Sequence, residues 1–253
     1  MKQKSSVLFV VLGGFFVANA LMAEFIGVKI FSLEAIFDLP PADLAFFGES
    51  GLSFNLTAGV LLWPVVFVMT DVINEYYGRR GVRLLSFLAA GLIAYAFIVV
   101  RFSMELPPAE FWIAREVDGA TLDMERSFDA IFGQGLWIIV GSLGAFLIGQ
   151  LVDVLVFQAL KRRTGESKIW LRATGSTLVS QLVDSFVVLM IAFYIGAGWS
   201  FTLVLAIAVV NYAYKFVVAA LLTPLLYVAH HLIDRYLGEE EAVRLREEAL
   251  DAG

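Results

Sequence analysis

Residues 136–160 read LWIIVGSLGAFLIGQLVDVLVFQAL, an unbroken apolar run in which Asp153 is the one charged residue. A membrane-crossing helix needs about 20 such residues, and this run exceeds that. Five further runs meet the same test: 7–30, 56–76, 82–100, 173–195 and 201–233. Of the 253 residues 60% are apolar and 17% charged, with mean hydropathy +0.82. Water-soluble domains carry about a quarter charged residues. The expected fold is an all-α integral membrane protein, a single domain over 1–253 built as a six-transmembrane-helix bundle.

The basic residues orient it. Lys2, Lys4, Arg79, Arg80, Arg83, Lys161, Arg162, Arg163, Lys168, Arg172, Arg235, Arg244 and Arg246 fall on one side of the bilayer, against Lys29, Arg101, Arg115 and Arg126 on the other. Thirteen against four places both termini in the cytoplasm. The first run outlasts the apolar core of a signal peptide and reads as an uncleaved helix. The two longer external loops are acidic. In 32–55, Pro40-Pro41, Gly48 and apolar–polar alternation predict a short hairpin or interfacial segment. In 102–135, Phe111-Trp112-Ile113 with Phe128, Ile131 and Phe132 predicts an amphipathic helix on the outer leaflet. Trp137, Trp170 and Trp199 stand where an interfacial belt needs them. The tail 234–253 reads as a solvated helix or as disordered.

Composition excludes several functions. With no cysteine there is no disulfide, thiolate metal site or cysteine nucleophile. His230 and His231 are adjacent near the end of the last run, which argues against haem or a His-rich metal site; no cofactor and no metal is expected. A basic groove for nucleic acid and a Gly-rich phosphate loop are both missing. The lipid bilayer is the expected surrounding partner, and the chain is compatible with a homodimer.

Three aspartates interrupt the apolar runs, each costing roughly 2.5–3.5 kcal/mol at mid-bilayer. Asp153 and Asp184 end one repeated phrase, Gln150-Leu151-Val152-Asp153 and Gln181-Leu182-Val183-Asp184, and Asp71 lies in a third run. At 1.5 Å rise per residue, Asp71 and Asp153 are about 12 Å from the cytoplasmic edge, Asp184 about 18 Å and Lys215 about 9 Å. Four ionisable groups from four helices thus share a depth and predict one polar cavity. Thr174, Thr177, Gln181 and Asp184 make one helical stripe. Gln150 shares a face with Asp153, and Asn211 with Lys215; Asn19 is at mid-depth in the first run. Gly13-Gly14, Gly141, Gly144 and Gly149 predict close helix contacts. Lys215 has Asp153 or Asp184 as candidate partner, while Asn74 and Glu75 stand within a turn of Arg79 and Arg83 and are candidates to pair with them. Three acids against one lysine require a proton, a cation or a donor-rich ligand.

The segment Trp63-Pro64-Val65-Val66-Phe67-Val68-Met69-Thr70-Asp71 through Asn74-Glu75-Tyr76-Tyr77-Gly78-Arg79-Arg80 resembles the queuosine precursor transporter family, also called vitamin-uptake-transporter-like. The likeness continues at Gly149-Gln150-Leu151-Val152-Asp153, at Ser176-Thr177 through Gln181-Leu182-Val183-Asp184-Ser185, and at Tyr214-Lys215-Phe216-Val217 with Thr223-Pro224-Leu225 following. Four motifs in order over 55–227 make it specific. The chain departs from the family in the expanded loop 102–135 and at Asn211, where some members carry an acid. The resemblance implies import of queuosine precursors, 7-deazaguanines such as 7-cyano-7-deazaguanine and 7-aminomethyl-7-deazaguanine, across the inner membrane.

The residues suit such a ligand. A guanine-like edge offers two adjacent donors that a carboxylate accepts in bidentate fashion. Lys215, Gln150, Gln181 or Asn211 could donate to its O6, and Trp63, Phe67, Tyr212 or Phe216 could face its ring. Asp71, Asp153 and Asp184 are the expected substrate or proton sites. Two other functions compete: a substrate-binding subunit of an energy-coupled uptake complex, and an intramembrane aspartyl protease using Asp153 and Asp184. For the protease, the Tyr-Asp and Gly-x-Gly-Asp phrases that carry such a dyad are missing.

Overall fold

The computed structural model describes residues 2–133, 135–164 and 169–251. Lys168 and the Trp170 side chain, both used in the orientation argument, lie outside the described residues. Helix α1 spans Lys2–Ile26 and stops at Gly27, short of the run end at Ile30, because Ile30 has already joined a strand. That strand, β1 (Ile30–Ser32), leads into a one-turn helix α2 (Leu33–Ile36), then β2 (Leu44–Phe46), β3 (Glu49–Leu52) and β4 (Asn55–Thr57). β1 pairs antiparallel with β4, and β2 with β3, so the long connection from α1 to the next helix is folded into two small ribbons. The β2–β3 turn, Phe47-Gly48, has positive φ at both residues, the geometry that matches strand twist in a two-residue hairpin. The expected hairpin is present.

After a 3-10 turn at Ala58–Leu61 comes α3 (Trp63–Met104), one helical element of 42 residues with non-helical φ 64° and ψ −171° at Gly78. Straight, it would span about 63 Å, twice a bilayer's hydrocarbon thickness. It is not straight. Thr70, eight residues before Gly78, donates to Gln150 Oε1 at 2.9 Å, and Ser86, eight after, reaches the same atom at 3.4 Å. In a continuous helix these two residues would be about 24 Å apart. The chain therefore reverses at Gly78 and its two arms lie side by side, with Val66 and Ile73 of the first packed in one core with Leu85, Ala89 and Ile93 of the second.

The second long connection holds α4 (Glu110–Ile113), a hairpin of β5 (Ala114–Val117) and β6 (Ala120–Asp123), and α5 (Met124–Phe132). The expected single amphipathic helix is thus split. Asp118-Gly119, with both φ positive, supplies the two-residue turn that interrupts it. Phe128 still packs on Trp112 across the interruption, and on Phe132 within α5.

Helices α6 (Leu136–Thr164) and α7 (Ile169–Leu189) make the most extensive helix pair, and α7 runs on into a π-helical turn at Met190–Ile195. Gly141 permits their approach: a Cβ there would meet Val188 O at 3.1 Å and Ala192 N at 3.2 Å. Gly13 likewise abuts Leu85, whereas Gly14 faces no neighbour, so half of the Gly13-Gly14 expectation fails. Helix α8 (Phe201–Leu237) begins under a Ser200 cap and ends at Gly238 with φ 90°. Trp137 and Trp199 flank the ends of α6 and α8, as expected of anchors.

The tail is a correction. Residues Glu239–Asp251 form α9, a helix as one of the two readings had it, but docked by one face across α3 rather than wholly in solvent. Ala242, Leu245 and Ala249 make a buried stripe, and the Ala249 backbone lies 2.8 Å from where a Gly78 Cβ would stand. Among the described residues, five helical segments are long and apolar enough to cross a membrane: Gln3–Ile26, Trp63–Met104, Met124–Thr164, Leu171–Ile195 and Phe201–Leu237. The protein is a mostly helical, multi-pass membrane protein.

Candidate functional site

Residues Thr174, Thr177 and Gln181, the stripe foreseen on α7, line a cleft between α7, α8 and the first arm of α3. Asp71, Trp63, Pro64 and Val68 come from α3, and Lys215, Ala219, Leu222, Thr223 and Leu226 from α8. The cleft holds about 510 Å³ of empty space, part of it open to the outside. Its wall is mostly apolar, with a carboxylate, an ammonium, an amide and three hydroxyls set into it.

Asp71 Oδ1 accepts from Ser176 at 3.3 Å and its Oδ2 from Thr177 at 3.2 Å. Asp153, on α6, stands behind Asp71 and outside the cleft lining, with Ser180 donating to its Oδ1 at 3.1 Å. Lys215 chooses Asp184: Nζ to Oδ2 is 2.5 Å, with both side chains mostly buried. The four ionisable groups thus form two neighbouring pairs, and Asp71 and Lys215 carry them to the cleft. Asp184 in turn lies against Gly149 of α6.

Other expected site residues sit elsewhere. Gln150 is buried between the arms of α3, occupied by Thr70 and Ser86. Phe67 is core, with 1% exposure. Asn19 donates to the Phe15 carbonyl of its own helix at 2.8 Å, which satisfies it without a cavity. Asn211 and Tyr212 are half-buried on α8 outside the cleft; Asn211 shares the face of Lys215 but stands one turn further along the axis, beyond the cleft's end. Trp63 does line the cleft, and it also packs on Phe146 with ring centroids 5.5 Å apart.

Glu75 and Asn74 do not pair with Arg79 or Arg83. Glu75 is held by Arg172 in bidentate fashion, at 2.7 and 3.1 Å, and by Lys161 at 3.4 Å, all three side chains with no exposed surface. Asn74 accepts from Gln158 at 2.7 Å. Both residues face inward along α3, away from the helix side that carries Arg83 to solvent. Lys161 and Arg172 are therefore buried ion-pair partners inside the bundle.

Two features escaped the sequence reading. Ser176 and Ser180 form a second polar stripe on α7, legible as hydroxyls four residues apart beside the recognised one. Glu24 is a buried acid near the end of α1, bonded to Ser142 of α6 and close enough to Asp184 to feel its charge. Its signal was a lone carboxylate inside an apolar run.

A family profile described as "Putative vitamin uptake transporter" matches residues 57–229. The chain belongs to this family. It is 32% identical over 186 residues to a "Probable queuosine precursor transporter" of Bacillus subtilis (strain 168), covering 71% of this chain and 75% of that one. A protein of the same description from Haemophilus influenzae is 29% identical over 147 residues, 57% of this chain and 55% of that one. The "Queuosine precursor transporter" of Escherichia coli (strain K12) is 24% identical over 180 residues, 66% and 69% of the two chains. No solved structure matches significantly. The matched region holds the whole cleft and both acid pairs, and it ends before α9.

Proposed function

We propose that this chain imports queuosine precursors, 7-deazaguanines such as 7-cyano-7-deazaguanine and 7-aminomethyl-7-deazaguanine, across the cell's inner (cytoplasmic) membrane. The observation that carries the reading is that Asp71, Gln181 and Lys215 face one mostly apolar cleft lined by Trp63. The Asp71 carboxylate accepts the adjacent N–H donors of a guanine-like edge, Lys215 or Gln181 donates to the oxygen, and the Trp63 indole covers ring surface. The names of the relatives agree with this ligand. A protease reading has no support here, since Asp184 is engaged by Lys215 rather than by a second carboxylate.

We read six passes with both termini cytoplasmic. The reversal at Gly78 supports counting α3 as two passes, and the thirteen-to-four distribution of basic residues supports the orientation. The buried Lys161 and Arg172 weaken the count without reversing it.

The test is uptake of radiolabelled 7-cyano-7-deazaguanine into liposomes that contain the purified chain alone. Asp71→Asn should lower uptake about tenfold, the loss of one charged hydrogen bond. Unchanged uptake by this variant overturns the assignment of Asp71, and equal competition by guanine overturns the substrate. Uptake without any other protein also excludes the reading as a capture subunit of an ATP-driven complex.

A further inference from the structure

We propose that Asp71 and Asp153 hold one proton between them through Ser176, and that this proton is the coupling ion of import. The proposal rests on the transport reading above and adds the ion and the residue that stores it.

Asp71 is 3% exposed and Asp153 has no exposed surface, and the two carboxylates are close enough for direct charge–charge interaction. Their donors are all hydroxyls: Ser176 and Thr177 to Asp71, Ser180 to Asp153, with the Ser176 hydroxyl facing both acids. Among the described residues no basic side chain bonds either one. The surrounding charges are already engaged. Glu75 of α3 holds Lys161 of α6 and Arg172 of α7; Asp184 of α7 holds Lys215 of α8; Glu24 of α1 bonds Ser142. Two buried carboxylates side by side do not both ionise without a cation.

A second observation points to a change of state at the same place. Asp153 Oδ2 and Gln150 Nε2 are buried and without hydrogen-bond partners, an acceptor and a donor at i and i+3 on one face of α6. The unpartnered amide is a donor in reserve for the ionised form of Asp153, which needs one.

The division of labour follows from the cleft. Asp71 lines it and Asp153 does not. Donors on the substrate require Asp71 as carboxylate, which drives the proton inward. Asp71 gives its proton to Ser176 Oγ as the Ser176 hydrogen passes to Asp153, so one O–H is lost and one gained. Substrate bound at Asp71 thus travels with a proton on Asp153, and release on the inner side frees both.

Liposomes with the membrane potential clamped at zero test this with radiolabelled 7-cyano-7-deazaguanine. Counterflow without any gradient comes first, and its absence in the wild type removes the transport reading and this proposal together. With counterflow present, one proton per uncharged substrate gives about tenfold accumulation for each pH unit, acid outside. No accumulation, or accumulation driven by a sodium gradient instead, overturns proton coupling and leaves transport standing. A trapped pH dye in the wild-type vesicles must acidify on substrate addition; a silent dye overturns the proposal without recourse to any variant. Asp153→Asn should lose the gradient-driven accumulation, and full accumulation by that variant overturns the assignment to Asp153.

Discussion

Arg172 grips Glu75 with two parallel hydrogen bonds at a point where neither side chain touches the outside. Lys161 adds a third contact to the same carboxylate and another to the backbone oxygen of Glu75. This ties α3, α6 and α7 together inside the bundle. Removing the shared acid takes a charged partner from two buried cations. Glu75→Gln should destabilise the protein by about 3–5 kcal/mol, measured as a fall in detergent thermal midpoint. A midpoint equal to wild type would show the cluster to be energetically idle.

Gly78 is required twice over. Its φ of 64° with ψ of −171° is a conformation open to glycine alone, and α9 crosses where a side chain would stand. Gly78→Ala should cost about 1–3 kcal/mol in backbone strain and lift α9 from its seat. Trypsin cleavage at Arg244 and Arg246 is the readout. Cleavage no faster than in wild type would contradict the docking.

Asp184 and Lys215 should behave as a unit. Lys215→Ala leaves a buried carboxylate unmatched, and Asp184→Ala leaves a buried ammonium unmatched, each costing about 2–5 kcal/mol. The double variant removes both charges and should be more stable than the sum of the singles implies by roughly 0.5–3 kcal/mol. Strict additivity would mean that the 2.5 Å contact carries no coupling.

In the connection that follows α1, Glu34 accepts from the Phe54 amide at 2.8 Å, from Ser32 at 3.1 Å and from the Ala42 amide at 3.3 Å. The Phe54 bond, first among these, holds its carboxyl below the ordinary 4.5. A depressed carboxylate contributes order above its unfolded pKa and loses it as pH falls through the lowered folded value. The Phe54 amide should therefore stay protected from hydrogen exchange at neutral pH and lose protection below 4.5. Glu34→Gln should lack that protection at every pH. Equal protection in the variant would detach the loop's order from this acid.

How far the chain was readable depends on which force acts. Apolar runs located every long helix, because lipid offers the backbone no partner but itself and length then sets the element. The Thr174, Thr177, Gln181 stripe was readable for a related reason: its polar groups had to face inward, and they line the cleft. The α9 stripe of Ala242, Leu245 and Ala249 was equally periodic, yet the acidic first turn, Glu239 to Glu241, disguised it as a solvated helix. The Asp118-Gly119 turn was present in the sequence and hidden by the apolar residues around it.

Run length, charge bias and helical period were enough for a helical membrane protein with acids turned inward, since each is a property of one segment in its solvent. Partner choice was not. That Lys215 meets Asp184, that Arg172 reaches Glu75, that Asn19 bonds its own helix and that Asp153 stands behind Asp71 follow from which faces the helices bring together. Those contacts come from interhelical packing, where glycines such as Gly141 and the reversal at Gly78 set distances to within an ångström or so. No periodicity within a single run encodes them.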